Sequence, residues 1–155
     1  MLFRSIPKVD LLVIGTGELL HPLERFAAQK KLSVKFLGNV PYAELPEYIR
    51  NADIFVLPSL YEGNPKVLLE AMACGAPVLA TSVSGIKNII VPFENGYLCD
   101  TSVEALHAAL LAFIPDRALQ QKLGAHAHQL VQTQYSVESI CTKEIALYRD
   151  LHITL

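Results

Sequence analysis

The chain has 155 residues, 52% of them apolar and 18% charged, with a formal net charge of −2 at pH 7. That length suits one ordinary domain with a sizeable core, and the charge argues against a nucleic-acid surface. No apolar run approaches the ~18 residues of a membrane span; the first ten residues lack a signal peptide's apolar core and cleavage site; and Cys74, Cys99 and Cys141 show neither metal spacing nor a disulfide framework, so a cytoplasmic location is expected.

Short apolar runs alternate with helical patterns along the chain. Residues 1–8, "MLFRSIPK", read as a helix end and a linker. "LLVIG" (11–15) reads as a buried strand. "HPLERFAAQKKL" (21–32) has Leu23, Phe26, Ala27 and Leu32 at helical spacing. "SVKFLG" (33–38) is a second strand, and "YAELPEYIRNA" (42–52) is a short helix with Pro46 in its first turn. "DIFVLPS" (53–59) is a third strand, stopped by Pro58. Asn64 is suited to cap a helix that begins at Pro65, runs to about Cys74 and stops at Gly75. "APVLAT" (76–81) and "GYLC" (96–99) are further strands. Three helical stretches follow, at 102–114, 117–130 and 136–151, with Ser102 and Ser136 as N-caps. Continuous apolar strands joined by helices predict an α/β domain over residues 1–155: a parallel sheet with helices on both faces.

In such a sheet, ligands bind beyond the carboxyl ends of the strands. The loops there are "GTGE" (15–18), "GNVPY" (38–42), "PSLYEGNPK" (58–66), "TSVSG" (81–85) and "CDTS" (99–102). "GTGE" fails the dinucleotide fingerprint, because its third glycine is replaced by Leu20 and the later acid by Lys35. It is either a turn that brings backbone near a ligand or merely a turn.

The helix from Lys66 is apolar nearly all round, which predicts burial. Only Lys66 and Glu70 are strongly polar; four residues apart, they share one face. Lys66 stands at the positive end of the helix dipole, where a cation is disfavoured. Glu62 lies in the preceding loop, beside the free N–H groups of a helix start. Two carboxylates so placed suit the hydroxyls of a polyol. The alternatives are a buried Glu70 paired with Lys66 and a solvated Glu62 in a turn. The histidines have no ligand spacing: His126 and His128 do not share a face, His107 and His152 lie on tail helices, and only His21 is near the expected cleft. Asp53 opens a strand and reads as structural.

The stretch "FVLPSLYEGNPKVLLEAMACGAPVLAT" resembles the signature of retaining, family 4 glycosyltransferases of the GT-B fold, with their E-x7-E motif on Glu62 and Glu70. The resemblance extends through "LLVIGTGE", "VKFLGNV" and "ADIFVLPS" upstream and "SGIKNII", "NGYLCD" and "YSVESICTKEIALY" downstream. It implies a Rossmann-like, nucleotide-sugar-binding C-terminal domain, one half of a GT-B fold. By that resemblance Glu70 holds the ribose. Glu62 is the catalytic carboxylate and holds the transferred sugar, with Gly63, Asn64, Pro65 and Lys66 facing sugar and diphosphate. Gly38, Asn39 and Val40 lie against the base.

Departures bear on those roles. The family's Gly-Phe-Gly after the first Glu is Gly63-Asn64-Pro65 here, and Pro65 offers no N–H. The family's Gly-Gly is Ser84-Gly85. Its cationic diphosphate clamp comes from a first strand-helix unit that, like the acceptor domain, is expected to precede residue 1; Arg4 and Lys8 do not match the clamp. No Asp-x-Asp motif is present, so no metal or other cofactor is expected, and the nucleotide-sugar is a substrate. Expected partners are the donor and an acceptor domain or partner chain, with no nucleic acid and no transmembrane segment. The 155 residues alone are expected to transfer little sugar. Without the first unit, the strands at 11–15 and 53–57 are expected to pair directly, leaving apolar surface through which copies associate into a homo-oligomer. Two other readings are a non-catalytic nucleotide-sugar-binding module and a nucleotide-sugar epimerase, the latter opposed by E-x7-E.

Overall fold

The computed structural model describes residues 9–151. The linker reading, Arg4, Lys8 and His152 lie outside the described residues. The chain divides into two compact units, Met1–Tyr48 and Ile49–Leu155.

The first unit holds β1 (Leu11–Ile14), α1 (Leu20–Lys30) and β2 (Val34–Gly38). The strands are parallel, with Val13 opposite Phe36 and a bulge that brings Ile14 opposite Gly38. Lys31 turns into the left-handed region at φ 53° and donates back to Ala27 and Ala28. That ends α1 two residues before the apolar pattern does. The expectation of a buried β1 needs correction. Leu12 and Ile14 are exposed, as are Leu23 and Phe26 of α1, while Ala27 is buried. An apolar strand predicts two covered faces only if a second layer covers each; here alternate residues of β1 face outward.

The strands form two parallel sheets, β1–β2 and β3–β4–β5. Among the described residues the expected ladder between Val13 and Phe55 does not occur: Val13 pairs with Phe36 in one sheet and Phe55 with Val78 in the other. Each of these strands pairs with the one delivered by its own crossover helix, as short right-handed connections favour.

Helix α2 (Leu45–Asn51) carries Pro46 in its first turn, as expected. The second unit then runs β3 (Phe55–Leu57), α3 (Lys66–Ala73), β4 (Val78–Thr81), α4 (Ser84–Lys87), β5 (Tyr97–Cys99), α5 (Val103–Phe113) and α6 (Arg117–Leu130). A π-helical turn, Val131–Tyr135, leads into α7 (Val137–Asp150). All four residues of the central strand β4 are buried. Successive side chains point to opposite faces, so both faces of β4 are covered. Helices α3, α5 and α6 pack on it. Leu68, Met72, Leu79, Ile86, Phe113 and Leu123 are completely buried, and a large apolar side chain so placed contributes about 1.5–3 kcal/mol by leaving water.

Caps set the helix ends. Ser102 and Ser136 accept N–H bonds from Ala105 and Ser139, as expected. Asp116 does the same for Leu119 at the start of α6. Asn64 does not cap α3. The N-cap is Pro65, whose ψ of 86° is outside the helical range, so the helix begins one residue late. The predicted stop at Gly75 is formed. Gly75 has φ +74° and donates to Met72 while Ala76 donates to Ala71, a Schellman closure.

That closure meets α6. A Cβ added at Gly124 would lie 2.4 Å from the Gly75 carbonyl oxygen. Alanine in a helix interior ordinarily gains about 1 kcal/mol over glycine. Here the obstacle is backbone, and overpacking costs about 1–3 kcal/mol, so the clash decides the sign. Gly124→Ala is expected to lower stability by up to about 2 kcal/mol, read from the urea midpoint by circular dichroism. An unchanged or raised midpoint would show that α6 can shift away.

Candidate functional site

In the first unit the two loops beyond β1 and β2 brace each other. Gly15 and Gly38 have φ of +125° and +64°, a region that side chains rarely adopt. The Gly15 N–H donates to the Gly38 carbonyl at 2.8 Å. Thr16 Oγ1 donates to Asn39 Oδ1 at 3.3 Å. "GTGE" thus supports the 38–40 loop, where Asn39 is exposed and Gly38 and Val40 are half-buried.

In the second unit, three parallel strands put their following loops at one edge. Glu62 lies in the loop after β3 and is half-buried. Ser59 Oγ donates to Glu62 Oε1 at 2.7 Å. The loop is fixed from β4: the hydroxyl of Thr81, itself 2% exposed, donates to the Ser59 carbonyl. It is also fixed from α4, where the Gly85 N–H donates to the Glu62 carbonyl at 3.1 Å. Ser82 N–H reaches the Cys99 carbonyl at 2.7 Å, which ties the β4 loop to the end of β5.

Gly63 and Asn64 are exposed, Pro65 is buried, and Lys66 is exposed at the first position of α3. Leu68 N–H bonds to the Pro65 carbonyl at 3.0 Å. The N–H groups of Lys66 and Val67 stand ahead of any carbonyl the helix can offer them. Glu70 is half-buried one turn on, on the Lys66 face. The structure thus groups Glu62 to Lys66 and Glu70 around one helix start. Gly38 to Val40 belong to the first unit.

Other titratable groups have partners of their own. His21 Nδ1 is 2.9 Å from Glu24. His126 and His128 reach the carbonyls of Glu94 and Ala73. Asp53, read as structural, pairs with Arg117. Burial pushes the Cys99 thiol above its usual range, and the neighbouring Asp100 charge adds to this. No group of three or more metal-capable side chains occurs among the described residues, and no helix among them is long and apolar enough to cross a membrane.

Ser59, Thr81 and Gly85 did not stand out as site residues in the sequence. Gly85 figured there only within the 81–85 loop and as half of a departed Gly-Gly pair. The one local signal was a serine three residues before Glu62, a spacing suited to a side-chain turn contact.

Comparison with known proteins places the family and the fold. The family described as "Glycosyl transferases group 1" matches residues 2–130. The GDP-mannose-dependent monoacylated alpha-(1-6)-phosphatidylinositol monomannoside mannosyltransferase of Corynebacterium glutamicum is 30% identical over 139 residues, 85% of this chain and 36% of that protein. Sucrose-phosphate synthase from Thermosynechococcus elongatus superposes with a TM-score of 0.83 at 31% identity, over 95% of this chain and 39% of that one. The C-terminal domain of a group 1 family glycosyl transferase from Francisella tularensis gives 0.77 at 32% identity, over 88% of this chain and 74% of that one. The chain thus spans well under half the length of the mannosyltransferase or the synthase. Its parallel sheets and helices are the Rossmann-like α/β fold of GT-B glycosyltransferases, and the chain belongs to the group 1 glycosyl transferases.

Proposed function

We propose that this chain is the donor-binding domain of a retaining, family 4 glycosyltransferase that moves a sugar from a nucleotide-sugar to an acceptor hydroxyl. The observation that carries the reading is the pair of carboxylates at one helix start, with Glu62 held by Ser59 in the loop and Glu70 on α3 itself. Glu70 takes the ribose hydroxyls. Glu62, the catalytic carboxylate, takes hydroxyls of the transferred sugar. The backbone of Gly63, Asn64 and Lys66 faces the sugar and the diphosphate, with Pro65 setting the turn. The base is assigned to Gly38, Asn39 and Val40 by the resemblance alone. The donor named for the Corynebacterium relative, GDP-mannose, supports the nucleotide-sugar class.

In the proposed reaction the bond from the sugar's anomeric carbon to the diphosphate oxygen breaks. A bond to the acceptor oxygen forms on the same face, and the acceptor's proton passes to the departing diphosphate. The protein's share is to orient the sugar through Glu62 and to stabilise the charge that develops on the leaving group. The acceptor is held by a second domain or a partner chain. In this reading the donor contacts are metal-independent.

A thermal-shift panel of UDP-glucose, GDP-mannose and ADP-glucose tests it. Ligand at 100 times Kd adds about 2.7 kcal/mol, or about 5–10 °C for a chain of this size. One donor class is expected to give such a shift, and EDTA is expected to leave it unchanged. No shift from any donor would overturn the reading, and a shift abolished by EDTA would overturn its metal independence.

A further inference from the structure

Gly85 and Ser59 act on the same short segment from two sides. A Cβ built on Gly85 would lie 2.4 Å from the Glu62 carbonyl oxygen and 2.6 Å from that of Gly63. Both obstacles are backbone, so α4 can sit this close only with hydrogen at position 85. The Gly85 N–H uses that closeness to donate to the Glu62 carbonyl at 3.1 Å. The side chain is fixed separately. The Ser59 hydroxyl has one proton and gives it to Glu62 Oε1 at 2.7 Å. The Ser59 carbonyl is itself held by Thr81 from the buried strand β4.

We infer that Ser59 and Gly85 are positioning residues for Glu62: Gly85 sets the place of its backbone, and Ser59 engages Oε1 so that Oε2 is the oxygen presented to a hydroxyl of the donor sugar. This rests on the donor-sugar role proposed for Glu62. Neither residue needs to touch the donor. A carboxylate accepts but cannot donate, and a ligand hydroxyl is recognised best by an oxygen whose direction is already set. Pinning one oxygen removes the rotation that would otherwise be lost on binding.

The test measures a preference, the Kd of the nucleoside diphosphate divided by that of its sugar, by calorimetry on the whole 155-residue chain. Probes are UDP with UDP-glucose, GDP with GDP-mannose and ADP with ADP-glucose, and the pair bound tightest is carried forward. Glu62→Ala is expected to lower the preference about tenfold or more, the scale of a charged hydrogen bond. Ser59→Ala is expected to lower it about three- to tenfold, with the diphosphate Kd nearly unchanged, and Ser59→Thr, which keeps the hydroxyl, to restore it. Gly85→Ala is expected to lower it as far as Glu62→Ala does. The double variant Ser59→Ala with Glu62→Ala is expected to match Glu62→Ala alone, whereas a merely structural serine gives additive losses.

A normal preference in Ser59→Ala and Gly85→Ala, with Glu62→Ala impaired, would overturn the positioning roles and leave the donor reading intact. Additive losses in the double variant would overturn the role of Ser59. A normal preference in Glu62→Ala, or no binding of any probe pair by the natural chain, would overturn the donor-sugar reading and the positioning roles with it. If Gly85→Ala does not fold by circular dichroism, the Ser59 series decides.

Discussion

Glu70→Ala is expected to weaken binding of both the free nucleotide and the nucleotide-sugar, by about 10- to 100-fold each, while Glu62→Ala weakens only the sugar-bearing ligand. The magnitude is that of a hydrogen bond to a charged group, about 1.5–3 kcal/mol. The difference follows from placement. Glu70 is on α3, one turn in from its start, and the helix is anchored through Leu68, Ala71 and Met72, all fully buried. A ribose hydroxyl is present in both ligands, so losing its acceptor affects both alike. Glu62 precedes the helix and is held by a loop contact. Its proposed partner exists only when the sugar is attached. Calorimetry on both variants with the free nucleoside diphosphate and its sugar decides the matter, and equal losses for both ligands in both variants would sink the division of roles.

How much of this was legible in the sequence depends on how local each feature is. E-x7-E is local: seven intervening residues, one turn and one helix start, so Glu62 and Glu70 could be named before any coordinates. The caps at Ser102 and Ser136 and the stop at Gly75 are local too, because each closes bonds within a few residues. The same rule should have found Asp116. It went wrong at Asn64 because Pro65 takes a ψ of 86° and postpones the helix by one residue. The short helix α4 and the π-helical turn at Val131–Tyr135 carry no strong sequence pattern. In the π turn, Thr133 Oγ1 bonds back to the Gln129 and Leu130 carbonyls, a competition with the helical ladder that becomes visible only once the helix exists.

Beyond these shifts of helix ends, the misreadings concerned the partners of an element. An apolar run at 11–14 says strand, but it does not say how many layers cover it. The proposed pairing of that strand with 55–57 was a choice between distant segments, and periodicity carries no information on it. Ser59, Thr81 and Gly85 share this character. Their contacts span 22 or more residues for Thr81 with Ser59 and for Gly85 with Glu62. Only Ser59 with Glu62 is short in sequence. The positioning of a site is tertiary information even where its charged groups are readable from a motif.

Phe113→Ala is expected to cost the second unit about 3–5 kcal/mol, the range for a large aromatic removed from a core. Phe113 is the last residue of α5 and is completely buried. Its ring lies 5.1 Å from that of Tyr97 in β5, and Tyr97 meets Phe93 edge-on at 4.9 Å. The row therefore joins the turn before β5, the strand and the helix that follows it. Gln120, also buried, donates to the Phe113 carbonyl at 2.8 Å and fixes α6 on the same point. Truncation removes the ring's transfer free energy, leaves a cavity and loses the Tyr97 contact, worth about 0.5–1.5 kcal/mol beyond area. For a chain of this size that is a fall in Tm of roughly 6–20 °C. Phe113→Leu keeps an apolar side chain in the same place and is expected to cost less. The two variants are compared by urea and thermal denaturation, with the preference for sugar-bearing ligand measured well below each midpoint. That preference is expected to stay at the natural value, because the Phe113 ring meets Tyr97 of β5 and its carbonyl meets Gln120 of α6, in the packing of α5 on β5 and α6. A small loss of stability would mean that the core around α5 collapses to fill the space, and a lost preference in a still-folded Phe113→Ala would mean that this aromatic row helps to set the Glu62 loop.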